Sequence, residues 1–211
     1  MIDSMPFHGQ SWVEFARRHD IQIDVADLLR RTTGRTGPEC MNELFGRLIA
    51  PAESAALVHE KETIYRELFT RHFKEVKGFK AFSEMARLRG LKVGVGTAGD
   101  RSNIEFALTN LKMKAQPMAV VGGDQGLPGK PDPAIFLEVA KQLGVAPGAC
   151  IVFEDAPFGI EAARRAGMRA VAILTSHSAL DLAGPNVIAS ATHFAELIES
   201  NFLESLHVAT A

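Results

Sequence analysis

The chain has 211 residues, of which 46% are hydrophobic, and its 23 Lys plus Arg against 25 Asp plus Glu give a formal net charge of −2. This length suits one domain or one domain with an insert, and the composition excludes a disordered or collagen-like protein. The basic residues are scattered rather than clustered on one face, so we expect no nucleic-acid partner.

The sequence also gives predictions about membrane insertion, metal binding and cellular compartment. No apolar run approaches the roughly 18 residues of a membrane span, and residues 1–9 lack the cationic start and apolar stretch of a signal peptide. Cys40 and Cys150 are isolated in the sequence, which disfavours a disulfide framework or a zinc site and favours two buried thiols. We therefore expect a cytoplasmic protein with no membrane partner.

The first part of the chain has a helical pattern. Apolar residues recur at three- and four-residue spacing, which predicts helices over residues 11–18, 25–31, 38–49 and 52–73. No strand is evident in this part of the sequence. We predict a separate helical unit that ends near residue 75.

From Gly78 the pattern changes to short apolar runs that alternate with amphipathic helices, as in βα units with a parallel sheet. The predicted helices cover residues 79–89, 102–111, 133–143, 160–166 and 194–206. The predicted strands cover residues 92–96, 118–121, 150–153, 170–174 and 187–190. The fold class is therefore α/β, and ligands of such sheets bind beyond the carboxyl ends of the strands.

The turn at residues 94–99, Gly-Val-Gly-Thr-Ala-Gly, follows the first predicted strand and formally matches a dinucleotide-binding fingerprint. That interpretation is the weaker one, because the fingerprint belongs on the first βα unit and a long helical segment precedes it here. The simpler interpretation is a small anion cradle made by the Thr97 hydroxyl and free amides at a helix start. A plain strand-to-helix turn is the remaining alternative.

Lys130 lies in the segment Gly-Lys-Pro-Asp-Pro at residues 129–133, whose prolines restrict the backbone and mark a helix start. A lysine fixed in this way suits a phosphate group, although most lysines on protein surfaces are merely solvated.

Glu154 and Asp155 stand together at the end of an apolar strand. Adjacent carboxylates repel each other unless a cation lies between them, and ligands that are all oxygen favour Mg²⁺ over softer metals. The pattern predicts a magnesium site, with an N-cap of the next helix by Asp155 as the alternative.

A hydroxyl, a lysine and an acid pair, each after a successive strand and in this order, resemble motifs two, three and four of the haloacid dehalogenase (HAD) superfamily. Segments 129–133 and 153–168 look like the branch that contains β-phosphoglucomutase and small sugar-phosphate phosphatases. The turn at 94–99 is similar to fructose-1-phosphate phosphatase-like members. The resemblance implies a Rossmann-like parallel sheet core built from residues 1–3 and 76–211, and a helical cap over residues 4–75.

This resemblance implies a Mg²⁺-dependent phosphatase that acts on a small phosphorylated metabolite, such as a sugar phosphate, through an aspartyl-phosphate intermediate. Glu154 and Asp155 would hold the metal. Lys130, the Thr97 hydroxyl and the Ala98 amide would surround the phosphoryl oxygens. A mutase of the β-phosphoglucomutase type and a non-catalytic phosphate-binding protein are the alternatives.

The resemblance also implies roles for three residues of the cap. His8 would assist an acid/base aspartate when the cap closes, while Arg35 and Lys61 would contact the substrate. A surface histidine and a solvated helix face are the alternatives for His8 and Lys61.

The first motif of the family, Asp-x-Asp-Gly-Thr, is not in this sequence, and residues 2–8 resemble the family segment that comes directly after that motif. In the family its strand lies between those that end near Thr97 and at Glu154. Loss of that strand would leave buried backbone groups unpaired, at about 1–3 kcal/mol each. We therefore expect that the motif precedes Met1 in a longer protein, and that this chain alone lacks the nucleophile and is inactive.

Overall fold

Helices form the first part of the chain, as the apolar spacing predicts. The first begins six residues earlier than predicted, with Pro6 in its first turn, where a missing N–H costs nothing. The third ends at residue 45 rather than 49, because Gly46 adopts a left-handed φ of +62°. In the computed structural model, which describes residues 1–206, these helices are α1 (Met5–Arg18), α2 (Val25–Thr32), α3 (Gly37–Phe45) and α4 (Pro51–Thr70).

These four helices have an apolar core of their own. Its fully buried members include Trp12, Phe15, Leu28, Met41 and Ile64, and α1 packs along α4. Such a core is what a folded unit needs. The boundaries 4–75 stay a prediction, and we call this part the helical segment.

Parallel strands alternate with helices after residue 78, which confirms the α/β class. The strands are β1 (Gly94–Gly96), β2 (Ala119–Val121), β3 (Ile151–Glu154), β4 (Arg169–Ile173) and β5 (Val187–Ala191). The helices are α5 (Phe79–Leu88), α6 (Arg101–Leu111), α7 (Ala134–Leu143), α8 (Pro157–Arg165), α9 (Phe194–Glu199) and α10 (Phe202–Ser205).

The strands form two parallel sheets, β1-β2 and β3-β4-β5. Within residues 1–206, β3 pairs only with β4 and β1 only with β2, so both are edge strands. These are the two strands between which the resemblance predicts a further one. Helices cover both faces of the larger sheet: one apolar cluster includes Phe82 and Phe194, and the other includes Ile135 and Ile160.

The two crossings between the helical segment and the sheets run side by side. Ile2 forms an antiparallel bridge with Glu75, and the amides of Asp3 and Val76 donate to the carbonyls of Lys74 and Met1 at 3.2 and 2.9 Å. The chain therefore leaves and re-enters the sheet part at one place.

Near the end of the described chain, the predicted helix over 194–206 is two helices, because Asn201 between them has a φ of +53°. The last residues of the predicted core, 207–211, lie outside the described part. Cys40 is buried as predicted, whereas Cys150 is only half-buried. Among residues 1–206, no helix combines the length and the apolar character needed to cross a membrane.

Candidate functional site

A buried ion pair lies at the carboxyl end of β3. Lys130 Nζ donates to Glu154 Oε1, and the two side chains are only 8% and 10% exposed. The other carboxylate oxygen of Glu154 accepts from the amides of Asp155 and Ala156 at 2.8 and 3.3 Å. Burial opposes ionisation of Glu154, but the Lys130 charge and these hydrogen bonds outweigh it and hold its pKa below the usual value.

The loop at residues 34–36 of the helical segment lies directly on this pair. The Lys130 amide donates to the Gly34 carbonyl at 3.2 Å. Gly129 has no room for a side chain, since a Cβ there would overlap the Glu39 carboxylate and lie 2.9 Å from the Thr36 nitrogen. Arg35 is thereby placed near the sheet, with its guanidinium 5.7 Å from the centre of the Phe158 ring.

Asp155 is held by hydrogen bonds from residues that directly follow the neighbouring strand β4. Its Oδ2 accepts from Thr175 Oγ1 at 2.9 Å, and its carbonyl accepts from Ser176 Oγ at 3.1 Å. Burial, followed by the adjacent charge of Glu154, raises the pKa of this carboxyl. Sequence reasoning missed Thr175, although its position directly after β4 was a usable signal.

A magnesium ion fits these residues only in part. Within residues 1–206, no three His, Cys, Asp or Glu side chains converge as a metal site would require. Both oxygens of Glu154 already accept hydrogen bonds, whereas only one Asp155 carboxylate oxygen is engaged by Thr175. Because Mg²⁺ commonly binds through one or two carboxylates, water and substrate phosphate, Asp155 suits it better than Glu154. Magnesium binding stays a prediction for both residues.

Thr97 directly follows β1, as predicted. Its amide donates to the Val121 carbonyl at 3.0 Å and its Oγ1 accepts from the Gly99 amide at 3.1 Å, so the hydroxyl can still donate one hydrogen bond of its own. Ala98 is packed against Gly123, where any side chain would overlap the Ala98 carbonyl. The roles of Thr97 and Ala98 in anion binding stay predictions.

Phe136 connects this turn with the ion pair. Its ring lies against Gly96, where an added Cβ would be 3.1 Å away, and the Lys130 ammonium lies 4.6 Å from its centre. The turn at residues 94–99 and Lys130 therefore pack against the same aromatic ring.

His8 and Lys61, predicted separately, are in contact. Lys61 Nζ lies 2.9 Å from His8 Nδ1 and donates to Glu62 Oε1 at 2.8 Å. His8 stacks on Tyr65 with 3.8 Å between ring centres. Lys61 is only 3% exposed, so the alternative of a solvated helix face is wrong. Their catalytic and substrate-binding roles stay predictions.

Burial, and then the neighbouring charge of Lys61, lower the pKa of His8 to about 3. The imidazole is therefore neutral at physiological pH, and its Nδ1 accepts a hydrogen bond from the Lys61 ammonium rather than donating one.

This shift predicts acid sensitivity. Below pH 6.5 the unfolded chain protonates His8, whereas the folded protein does not until about pH 3. The free energy of unfolding should thus fall by about 2 kcal/mol more between pH 7 and pH 5 than it does in a His8→Gln variant. Urea denaturation at the two pH values measures the difference. His59→Gln, which removes an exposed histidine of α4, should behave as the parent, and equal losses in parent and His8→Gln would contradict the expectation.

The chain is similar to known proteins in three respects: a family model, individual sequences and solved structures. A family model described as a haloacid dehalogenase-like hydrolase matches residues 1–167. The chain is 30% identical over 172 residues to the fructose-1-phosphate phosphatase YqaB of Escherichia coli (strain K12), with 81% of this chain and 89% of that protein covered. It is also 30% identical over 180 residues to the β-phosphoglucomutase of Bacillus subtilis (strain 168), with 82% and 78% covered.

The fold has solved counterparts. A hydrolase from Pseudomonas syringae superposes with a TM-score of 0.84 at 23% identity, covering 97% of this chain and 94% of that one.

Proposed function

The chain belongs to the haloacid dehalogenase-like hydrolases, and on that basis we propose that it is a phosphatase of small phosphorylated sugars or similar metabolites. Relatives named for sugar-phosphate chemistry support this substrate class. The observation that carries the proposal is the buried Lys130–Glu154 pair, which fixes a cation at the strand ends beneath the loop that holds Arg35.

In this proposal the phosphoryl group lies between the turn after β1 and the start of α7. Lys130 and the Thr97 hydroxyl donate to its oxygens, and the Ala98 amide is a further donor. Charge on these oxygens changes during phosphoryl transfer, so donors fixed in advance stabilise the transition state more than mobile ones would. Glu154 acts by holding Lys130 in place.

Residues of the helical segment complete the pocket. Arg35 reaches over the sheet part from the loop that contacts Lys130, and Lys61 with neutral His8 forms a second polar group on α4 and α1. Packing of this segment over the strand ends would exclude bulk water before reaction. We assign Arg35 and Lys61 to substrate contact.

Mg²⁺ enters the proposal through Asp155, which would supply a carboxylate oxygen to it. When bound, the metal would neutralise charge on the phosphoryl oxygens. The aspartate nucleophile that the family resemblance implies, and the aspartyl-phosphate intermediate that it would form, remain predictions.

The test is an assay of the natural protein, purified from its source, against a panel of hexose and pentose monophosphates. We expect release of inorganic phosphate with Mg²⁺ and its loss with EDTA. In the natural protein Asp155→Asn should lower the rate by about 100-fold, whereas Asp20→Asn, at an exposed left-handed position that Asn tolerates, should not. The intact mass and N-terminal sequence of the same preparation report whether residues precede Met1.

The β-phosphoglucomutase relative favours a second candidate. A mutase would convert one sugar phosphate into its isomer with little free phosphate, and the same panel followed by NMR separates the two activities. Binding of Mg²⁺ and phosphate with no turnover of any panel member would contradict both and leave a phosphate-binding protein.

A further inference from the structure

Asn103 joins the first turn of α6 to the middle of α4. It follows the Thr97 turn by six residues, and Asp100 caps its amide at 2.8 Å. Its side-chain Nδ2 donates to Glu62 Oε2 at 2.6 Å, and its Oδ1 accepts from Arg66 Nη1 at 2.9 Å. One amide therefore bridges a carboxylate and a guanidinium of the helical segment.

The bridge continues to the polar groups of the site. Glu62 uses its other oxygen to accept from Lys61 Nζ at 2.8 Å, and Lys61 contacts His8. The Lys61 ammonium also lies 4.9 Å from the centre of the Trp12 ring. A continuous series of hydrogen bonds thus runs from the sheet part, through Glu62, to a buried lysine.

The chemistry of this bridge requires an amide. Its NH₂ group faces the Glu62 carboxylate and its oxygen faces the Arg66 guanidinium. The two possible orientations of the amide are therefore not equivalent, and only this one satisfies both partners. Burial opposes ionisation of Glu62, yet the charge of Lys61 and the hydrogen bonds from Lys61 and Asn103 keep its pKa below the usual value. An aspartate of the same shape would repel Glu62, and an alanine would leave two partly buried charged groups, Glu62 and Arg66, short of a partner.

We propose that Asn103 is a positioning residue, whose amide bridge to Glu62 and Arg66 sets the place of the Lys61 ammonium relative to the Thr97 turn. The proposal rests on the function given above only in so far as that turn binds phosphate. Asn103 itself needs no contact with substrate.

Trp12 gives a readout that does not depend on activity, because it is the single tryptophan of the chain and Lys61 lies over its ring. In Asn103→Asp, tryptophan emission should shift at pH 7.5 and return toward that of the parent as the pH falls and the new carboxylate shares a proton with Glu62. The charged groups around this pair are Lys61, Arg66 and Asp100, and the neutral imidazole of His8 is the other titratable group. Asn103→Ala should show the shift without the pH-dependent return.

The matched control is Asn110→Asp on the same helix, where among residues 1–206 the side chain donates to the Phe106 carbonyl alone; its Trp12 emission should equal that of the parent. Should Asn103→Asp fail to fold by circular dichroism, Glu62→Gln tests the bridge from its other side and should shift the emission alike. Unchanged emission in folded Asn103→Ala or Glu62→Gln would overturn the proposal.

Kinetics separate this proposal from the proposed function. In an active natural protein, Asn103→Asp should lower kcat/KM about tenfold, with recovery at lower pH. A Trp12 emission shift in the Asn103 variants of a parent that itself releases no phosphate supports the bridge while the proposed function fails. An active parent whose Asn103 variants retain full kcat/KM and unshifted emission overturns the bridge while the function stands.

Discussion

Lys130→Met in the natural protein is expected to lower the free energy of unfolding by about 3–5 kcal/mol and to abolish measurable phosphate release. The change keeps the apolar stem but removes the ammonium, so the buried carboxylate of Glu154 loses its counter-charge. An uncompensated buried charge is far more costly than a broken surface pair. Urea denaturation and a phosphate-release assay measure the two effects.

A second substitution distinguishes loss of the pair from loss of packing. Adding Glu154→Gln to Lys130→Met removes the stranded charge, and we expect at least half of the lost stability to return while activity stays absent. The control is Lys141→Met on α7, whose side chain is 78% exposed and whose loss should change stability by less than about 0.5 kcal/mol. A Lys130→Met protein as stable as the parent would mean that the two side chains are not a buried pair.

Gly159→Ala is the second change expected to have a large effect, although it adds one methyl group. Gly159 lies in α8, where Ala would ordinarily stabilise the helix by about 1 kcal/mol. Its added Cβ, however, would overlap the Glu154 carboxylate, which Lys130 and two amides hold in place. The displaced carboxylate would break that pair at a cost of about 3 kcal/mol, so the net result is a loss of about 2 kcal/mol.

The matched control is Gly148→Ala, where a Cβ meets no atom within 4 Å and stability should stay within about 0.5 kcal/mol of the parent. Because Gly159→Ala and Lys130→Met damage one ion pair, their effects should not add in the double variant. Thermal unfolding of the parent, the two single variants and the double variant tests this lack of additivity. A Gly159→Ala protein more stable than the parent would show that helix propensity outweighs the overlap.

Much of the fold follows from local patterns. The predicted strand at 118–121 and the helix at 102–111 lie within one residue of β2 and α6, because a buried run and a 3.6-residue period each reflect local geometry. Two of the wrongly predicted helix ends depend on a single backbone angle, at Gly46 and at Asn201.

The site could be predicted by residue but not by partner. The sequence indicates Lys130 and Glu154 as candidate functional residues. Their contact, however, joins residues 24 positions apart, and the sequence favours a metal ion rather than a lysine as the partner of Glu154. Lys61 and His8 meet across 53 positions. Asn103 resembles any polar residue on an amphipathic helix, so no local signal marks it.

The paired crossings at Ile2 and Glu75 have an evolutionary consequence. The helical segment starts and ends at adjacent points of the sheet part. It is therefore equivalent to a long insertion whose two ends are already held together by the Ile2–Glu75 bridge. Exchange of that insertion for one of another length or shape would leave the strand register untouched. Under the proposed function, substrate preference would then change with this one segment while the strands and the residues that follow them stay the same.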